Sequence, residues 1–514
     1  MSVIGLDFGS HTASIALWFE EKNSVDVIAD DLGSRTIPTS VAYRGDEILT
    51  GSGAVSQQHK NPSNTFEDVR TLLIGQGGES SVNVPALEKE VTVQELSSHW
   101  FRNIHNQIKQ QVGKVVRECV ISLPDGVDEG AKQRLVESAQ AGGVRLKCMV
   151  GDASAALLAY GFDDASQLPA KVAVVDIGWS SSQVAIYDVS GGLFFPQSAV
   201  SSHEVSGKVV VQLMADHCAK DFQRKSKMAC TDSSKSMMRL RRECETAMKS
   251  MSTGAEATID IDSLFDGVDY SSKLTRARFE DLISIPVVHL KKLVDSAAAA
   301  AGVEPAAITQ ICLAGGLCAI PKVQSTIKAA FPSAVVAKGR FEPAEAQCIG
   351  AALHGKHLLL QGLIDKAPTV LAHAAYITQP IYISAGAGGA PSCVLPAGSV
   401  VPAKRVLEAA VPQAKGHFQV LVGAPIPAPP AAAGGKSLVS FMSAAFGGAG
   451  SAAVTDTNAV GEVVFALPAD VAAAIPDGGA PVTVTVAVSK EAGLTVEVVA
   501  EDGAVLASLQ IPSA

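Results

Sequence analysis

Three glycine-centred segments, each entered from an apolar strand-like run, constrain this chain more than any other feature. They are Gly5-Leu-Asp-Phe-Gly9-Ser-His-Thr12, Val175-Asp-Ile-Gly-Trp-Ser-Ser181 and Leu313-Ala-Gly-Gly316-Leu-Cys-Ala-Ile-Pro-Lys322. A strand that ends in glycine and small polar residues lets backbone N–H groups approach a phosphate closely. One such segment is weak evidence, because ordinary turns use the same residues. Three in this order, with the polar helix face Glu245-Thr-Ala-Met-Lys-Ser-Met-Ser252 between the second and third, point to a nucleotide cleft. The chain has neither a Gly-x-x-x-x-Gly-Lys-Ser/Thr loop nor a dinucleotide fingerprint, so a P-loop enzyme is not supported.

At 514 residues the chain is too long for one core, and two or three domains are expected. Up to about Gly362, short aliphatic strands alternate with amphipathic helices, as in α/β architecture. Strands are predicted at Val115 to Pro124, Lys171 to Asp176 and Ile308 to Leu313, and helices at Glu129 to Ala141 and Arg278 to Ala301. After about residue 375 the pattern changes to β-runs separated by Gly and Pro. These are Tyr376 to Ser384, Gly416 to Val422, Gly461 to Leu467, Pro481 to Val488 and Leu494 to Ala500, with Glu491-Ala-Gly493 as a turn. The segments Ala424 to Gly435 and Gly447 to Ala453 read as loops.

Composition excludes several classes. A net charge of −10 does not suit a surface that grips nucleic acid directly, because neutralising phosphates needs clustered Lys and Arg. The nine cysteines form no Cys-x-x-Cys pair, so reduced thiols in an intracellular protein are expected, serving as small apolar core residues. The N-terminus enters a strand at once, without the basic and apolar regions of a secretory signal. The nearly uncharged stretch Ala367 to Ala403 carries Pro368, Pro380, Pro391, Pro396 and Pro402, which a membrane helix would not carry together.

Taken as a set, the residues resemble the seventy-kilodalton heat-shock chaperones of the DnaK type, within the actin and sugar-kinase superfamily. The likeness runs through Gly33-Ser-Arg-Thr-Ile-Pro-Thr-Ser-Val-Ala-Tyr43, Asn61-Pro-Ser-Asn-Thr65, Leu73-Ile-Gly75, Ala155 to Gly161, Leu274 to Glu280 and Ala492-Gly-Leu-Thr-Val496. It implies an actin-like (ribonuclease H-like) two-lobed α/β ATPase domain over 1–365, a linker over 366–378 and a small all-β sandwich over 379–514. The family's helical lid is expected to be missing, because only Pro512-Ser-Ala514 follows the last strand. The resemblance implies ATP and Mg2+ as cofactors, with Asp7 and Asp176 holding the magnesium ion through water. For ATP it implies Gly9, Ser10, His11 and Thr12 in a first phosphate hairpin, Gly178 and Trp179 in a second, and Gly207 in a third glycine pair. Glu245 and Ser252 then lie on an adenosine-clamping helix, and Gly315 and Gly316 over base and ribose.

The departures from the family pattern fall mainly on the chemistry. Where the family has its catalytic lysine, this chain offers Arg70 or Thr71, and the family's carboxylate and proline become Asp152-Ala153. Its Gly-Gly-Gly-Thr-Phe-Asp becomes Gly178-Trp-Ser-Ser-Ser-Gln183, and the lysine and arginine it sets against adenosine become Met248 and Ala319. Phosphoryl transfer depends on accurately placed charge, so binding can survive where hydrolysis does not, and no catalytic residue is assigned. Trp179 has two readings, an indole packed into an ordinary turn or one occupying space near the phosphates. His11 also has two, a donor to phosphate or a tolerated polar replacement.

Altered chemistry combined with a lidless sandwich is similar to one branch of the family, the atypical subunit of the fungal ribosome-associated complex. That likeness implies a cytoplasmic co-chaperone in a stable heterodimer with a zuotin-type J-protein. It sits at the ribosome through that partner, near nascent chains, and stimulates an active heat-shock chaperone in co-translational folding. It implies no direct nucleic-acid or membrane contact. The alternative is an active, ATP-hydrolysing, peptide-binding chaperone.

Overall fold

The first glycine segment is the turn of a β-hairpin. Strand Ser2–Phe8 pairs antiparallel with Thr12–Phe19, which pairs with Ser24–Ile28, and on its other side Ser2–Phe8 runs parallel to Glu118–Leu123. Arg145–Gly151 closes the far edge. The second glycine segment repeats the arrangement. Ala170–Ile177 pairs antiparallel with Ser182–Ser190, which pairs with Leu193–Ser202, while Gln310–Ala314 and then Val335–Val336 lie parallel on the other side. The chain therefore builds one sheet design twice, and Asp7 and Asp176 occupy corresponding places in it. Asp7 lies between Ser14 and Ser122, and Asp176 between Gln183 and Ala314.

This is a computed structural model that describes residues 2–30, 32–75, 80–124, 126–164, 168–190 and 192–360, and then 381–385, 392–395, 403–411, 415–422, 459–466, 480–488, 494–500 and 504–511. The chain divides into two compact units, Met1–Leu371 and Ala372–Ala514. The expected linker and the boundary at residue 365 lie outside the described residues.

Each lobe of the first unit has its own core, because each sheet must cover an apolar face with helices. In the first lobe Phe8, Ile15, Trp100, Phe101 and Leu135 are buried together. In the second, Val175, Met214, Phe222, Leu240 and Phe279 do the same. The helix Glu129–Ala141 starts and ends as predicted, because the Asp128 side chain accepts from the Ala131 N–H and fixes its first turn. The expected helix Arg278 to Ala301 is instead two, Arg276–Leu282 and Ser284–Ala300, broken at Ile283. Pro286 is the cause: it lacks an N–H and fits only the first turn of a new helix. The strand predicted from Val115 starts at Glu118, and Val115 itself is exposed.

Among its described residues the second unit has two four-stranded antiparallel sheets, as the β-grammar required. One orders Ser392–Leu395, Ile381–Ala385, Lys415–Val422 and Ala459–Ala466, and the other Ala403–Val411, Ala480–Val488, Leu494–Ala500 and Val505–Ile511. Val482, Val484 and Val486 alternate inward beside Leu494, Val496 and Val498 of the next strand, the period-two pattern of a half-buried strand. Strands Ser392–Leu395 and Ala403–Val411 were not expected from sequence, because the prolines around them disguise the β-pattern. The expected loops over 424–435 and 447–453 and the turn at 491–493 lie outside the described residues. Among the described residues no helix is long and apolar enough to cross a membrane, and Cys119, Cys148, Cys218, Cys230, Cys244, Cys312, Cys318 and Cys348 are all buried.

Candidate nucleotide site

The repeated sheets bring two hairpin turns face to face. Gly9, Ser10, His11 and Thr12 of the first and Gly178 to Gln183 of the second line one cavity of about 360 Å³. The turns touch directly, with Ser180 Oγ donating to Ser10 Oγ at 2.8 Å. Within the second, the Gly178 N–H donates to the Ser181 carbonyl at 3.0 Å. Glu245, Met248, Lys249 and Ser252 form one wall, from the helix Ser234–Ser250 and the residues after it. Gly315, Gly316, Leu317 and Ala319 form another, from the turn after Gln310–Ala314. Gly315 adopts φ +77°, and a Cβ there would lie 2.5 Å from Asp176 Oδ1, so only glycine brings this turn over the carboxylate.

Three carboxylates, Asp7, Asp152 and Asp176, meet at the cavity together with Arg70. Burial pushes Asp7 up to about 7, and the neighbouring Asp176 adds to the effect. Burial likewise pushes Asp176 up to about 6. Asp152 is raised well above the usual carboxylate range, by burial first and then by Asp7 and Asp176. Arg70 pulls all three back down. Of the two sequence candidates for the cationic position, then, Arg70 lines the cavity, and its Nη1 donates to the Phe8 carbonyl at 3.3 Å. Thr71 instead donates its N–H to Asp68 as part of a helix cap.

This constellation fits a hydrated magnesium ion. Asp152 Oδ1 and Arg70 Nε are buried without a protein partner, which calls for water or an ion nearby. Hard carboxylate oxygens suit Mg2+, which keeps several of its own waters. Arg70→Ala should weaken ADP binding about tenfold, because it leaves the carboxylates without their cation. Calorimetric titration checks this, and unchanged affinity would remove Arg70 from the site.

On the opposite wall, His11 Nε2 lies 3.0 Å from Glu245 Oε1, and Lys249 Nζ lies 2.7 Å from the same oxygen. Burial works to raise the Glu245 carboxyl, but the His11 hydrogen bond and the His11 and Lys249 charges outweigh it and hold Glu245 at about 2. Glu245 is therefore an ionised acceptor, and Nε2 must carry the proton between them.

The His11 ring also stacks on the Trp179 indole, with centroids 3.9 Å apart and an interplanar angle of 13°. Trp179 lines the cavity and also packs against the core of the second lobe. Gly207 alone among the sequence-selected residues is absent from the cavity wall. It packs beside the indole, where a Cβ would lie 2.7 Å from Trp179 Cε3 and 3.3 Å from Leu317 Cδ1. Its N–H donates to the Gly178 carbonyl at 3.0 Å. Gln183 lines the cavity with an amide that cannot accept a proton in the way a carboxylate does.

Lys249 and Gln347 line the cavity without an assigned role from sequence. Lys249 stands four residues after Glu245 on one helix, a spacing that signals pairing. Gln347 begins the helix Ala346–Leu360 and bonds Asp176, and nothing local in its sequence marks it.

Known proteins share this framework. A heat shock protein of Pyricularia oryzae is 29% identical over 425 residues, covering 78% of this chain and 68% of that protein. Heat shock cognate 70 kDa protein 3 of Dictyostelium discoideum is 27% identical over 432 residues, 79% of this chain and 68% of that protein. A ribosome-associated molecular chaperone of Saccharomyces cerevisiae is 28% identical over 391 residues, 72% of this chain and 63% of that protein. The chain thus spans about two thirds of the length of these relatives. The pattern described as Hsp70 protein matches residues 3–387, which takes in both lobes and every cavity residue described above, and the chain belongs to the Hsp70 family.

Proposed function

We propose that this chain is an ATP-binding, hydrolysis-poor heat-shock co-chaperone. It pairs stably with a zuotin-type J-protein at the ribosome and helps it stimulate an active partner chaperone on nascent chains. The observation that carries this reading is the second hairpin. Trp179 lines the cavity at a position where the family pattern has glycine, and Gln183 offers an amide in place of a carboxylate. Binding elements remain around it: Asp7 and Asp176 toward a hydrated ion, the Gly9–Thr12 turn toward phosphate, and Glu245 and Ser252 on the opposite wall. ATP, when bound, would supply a triphosphate for these groups, and in this reading it is a structural ligand that stabilises the folded chain by mass action. The likeness to the yeast relative, a ribosome-associated molecular chaperone, supports the cellular setting.

The purified chain mixed with a zuotin-type J-protein should elute as a 1:1 complex in size-exclusion chromatography and join ribosomes only when that partner is present. Ribosome binding by the chain alone, or no complex, would contradict the partnership. The presence of a cation, Arg70, among the cavity carboxylates favours a second reading, the active chaperone, which requires Arg70 to serve in place of lysine. Nucleotide-dependent release of a bound peptide would support that reading instead.

A further inference from the structure

We propose that His11 is the pin of a protein-built tie that holds the two lobes together across the cleft independently of nucleotide. The inference rests on reading the cleft as a nucleotide site, and it concerns what closes it. His11 belongs to the first sheet's hairpin, whereas both of its partners belong to the second lobe. Its Nε2 reaches Glu245 at 3.0 Å, and its ring lies on Trp179 at 3.9 Å. Beside them, Ser180 Oγ and Ser10 Oγ make a third crossing at 2.8 Å.

Both partners are held in place before His11 meets them. The Trp179 carbonyl accepts from the Lys208 N–H at 2.9 Å, and its indole sits in the gap left by Gly207 and bounded by Leu317. Glu245 is steadied by Lys249 at 2.7 Å. Contacts between pre-oriented groups lose little conformational entropy on forming, so they add effectively to closure. A cleft walled by two glycine hairpins has few side chains of its own that can span it, and phosphates bridging the hairpins would normally supply closure. Here an imidazole, an indole and a carboxylate span it.

A ligand shifts a conformational equilibrium only by its differential affinity for the two states. If protein groups already favour the closed lobes, nucleotide adds little, and coupling between the cleft and any partner surface is weak. The chain would then offer a partner one lobe arrangement whether nucleotide is bound or not, which suits a permanent subunit better than a cycling one.

Hydrogen exchange on the full chain tests this, following amides of residues 9–12 and 234–250 with and without Mg-ADP. In the unaltered chain these amides should exchange slowly in both conditions, differing by less than about twofold. His11→Ala should accelerate them about tenfold in the protein alone, and Mg-ADP should largely restore protection. Trp179→Phe, which keeps a ring for stacking, should lie between the two, and it separates loss of the tie from general misfolding. Unaltered-chain amides that exchange fast alone and slow more than about tenfold with Mg-ADP would overturn the proposal. So would His11→Ala amides that exchange at the unaltered rate. If calorimetry shows no nucleotide binding in any variant, the nucleotide reading fails, while acceleration by His11→Ala alone would still uphold the tie.

Discussion

Replacing Asp7 and Asp176 by asparagine should abolish high-affinity Mg-ATP binding while making the protein itself more stable at pH 8. The two effects share one cause. In the folded chain burial raises these carboxyls to about 7 and about 6, from an ordinary value of 3.8, and the Asp176 charge adds to the effect on Asp7. A group whose folded value is raised contributes stability that is fully present below the unfolded value and is lost as pH rises through the folded one. Stability of the unaltered chain should therefore fall between about pH 4 and pH 7, and the asparagine variant should fall less steeply across that window, because the buried Asp152 still titrates. Glu245, held at about 2, acts in the opposite sense, but its contribution is lost only as pH falls below 4.5 toward 2, outside the window.

The ionised carboxylates cost on the order of a few kcal/mol at pH 8, so the variant should melt at least ~3 °C higher there. The same substitution removes the negative oxygens needed beside a hydrated cation, and Mg-ATP affinity should drop by about a hundredfold or more. Scanning calorimetry at pH 5 and pH 8, with nucleotide titration, reads both effects. A variant less stable at pH 8 than the unaltered chain would show that the carboxylates are paired structurally and not held apart for a ligand.

Trp100→Ala should be the most damaging single change away from the cavity, costing about 3 to 5 kcal/mol. Trp100 is fully buried in the first lobe. Its ring lies 4.9 Å from Phe8 and 5.3 Å from Phe101, and its Nε1 donates to the Pro38 carbonyl at 2.9 Å. Truncation leaves a cavity, strips Phe8 of a ring partner and removes the donor to the half-buried Pro38 carbonyl. Phe8 directly precedes Gly9, and its own carbonyl accepts from Arg70, so the loss should reach the site as well. Denaturant unfolding measures the cost, and Trp100→Phe should recover about half of it. A loss below about 1 kcal/mol would mean that the first lobe repacks freely and does not fix the hairpin.

Much of this architecture is legible in the sequence because its signals are local. Asp128 marks the start of its helix, alternating valines mark Ala480–Val488, and a glycine after an apolar strand marks each turn. The carboxylates Asp7 and Asp176 are legible for the same reason, each standing two residues before its glycine. Pro286 was equally local, and it marks the helix break that apolar spacing alone conceals. The side chains that fill the cleft are another matter. His11 and Glu245 are 234 residues apart, and no periodicity in either segment announces that they meet. Gly207 reads from sequence as a third phosphate glycine, yet its position beside the indole follows from Trp179, 28 residues earlier by the numbering of the chain. Which of Arg70 and Thr71 faces the carboxylates depends on the turn of one short helix, Val69–Ile74.

Single-turnover hydrolysis tests the central claim most directly, that the cleft holds ATP without acting on it efficiently. The purified chain, in molar excess over radiolabelled Mg-ATP, should retain the nucleotide through gel filtration and release phosphate far more slowly than an active Hsp70 under the same conditions. In the proposed reading that result follows from Trp179 and Gln183, which line the cavity where the family pattern has glycine and a carboxylate. Phosphate release at the rate of an active Hsp70, with no partner present, would contradict the account.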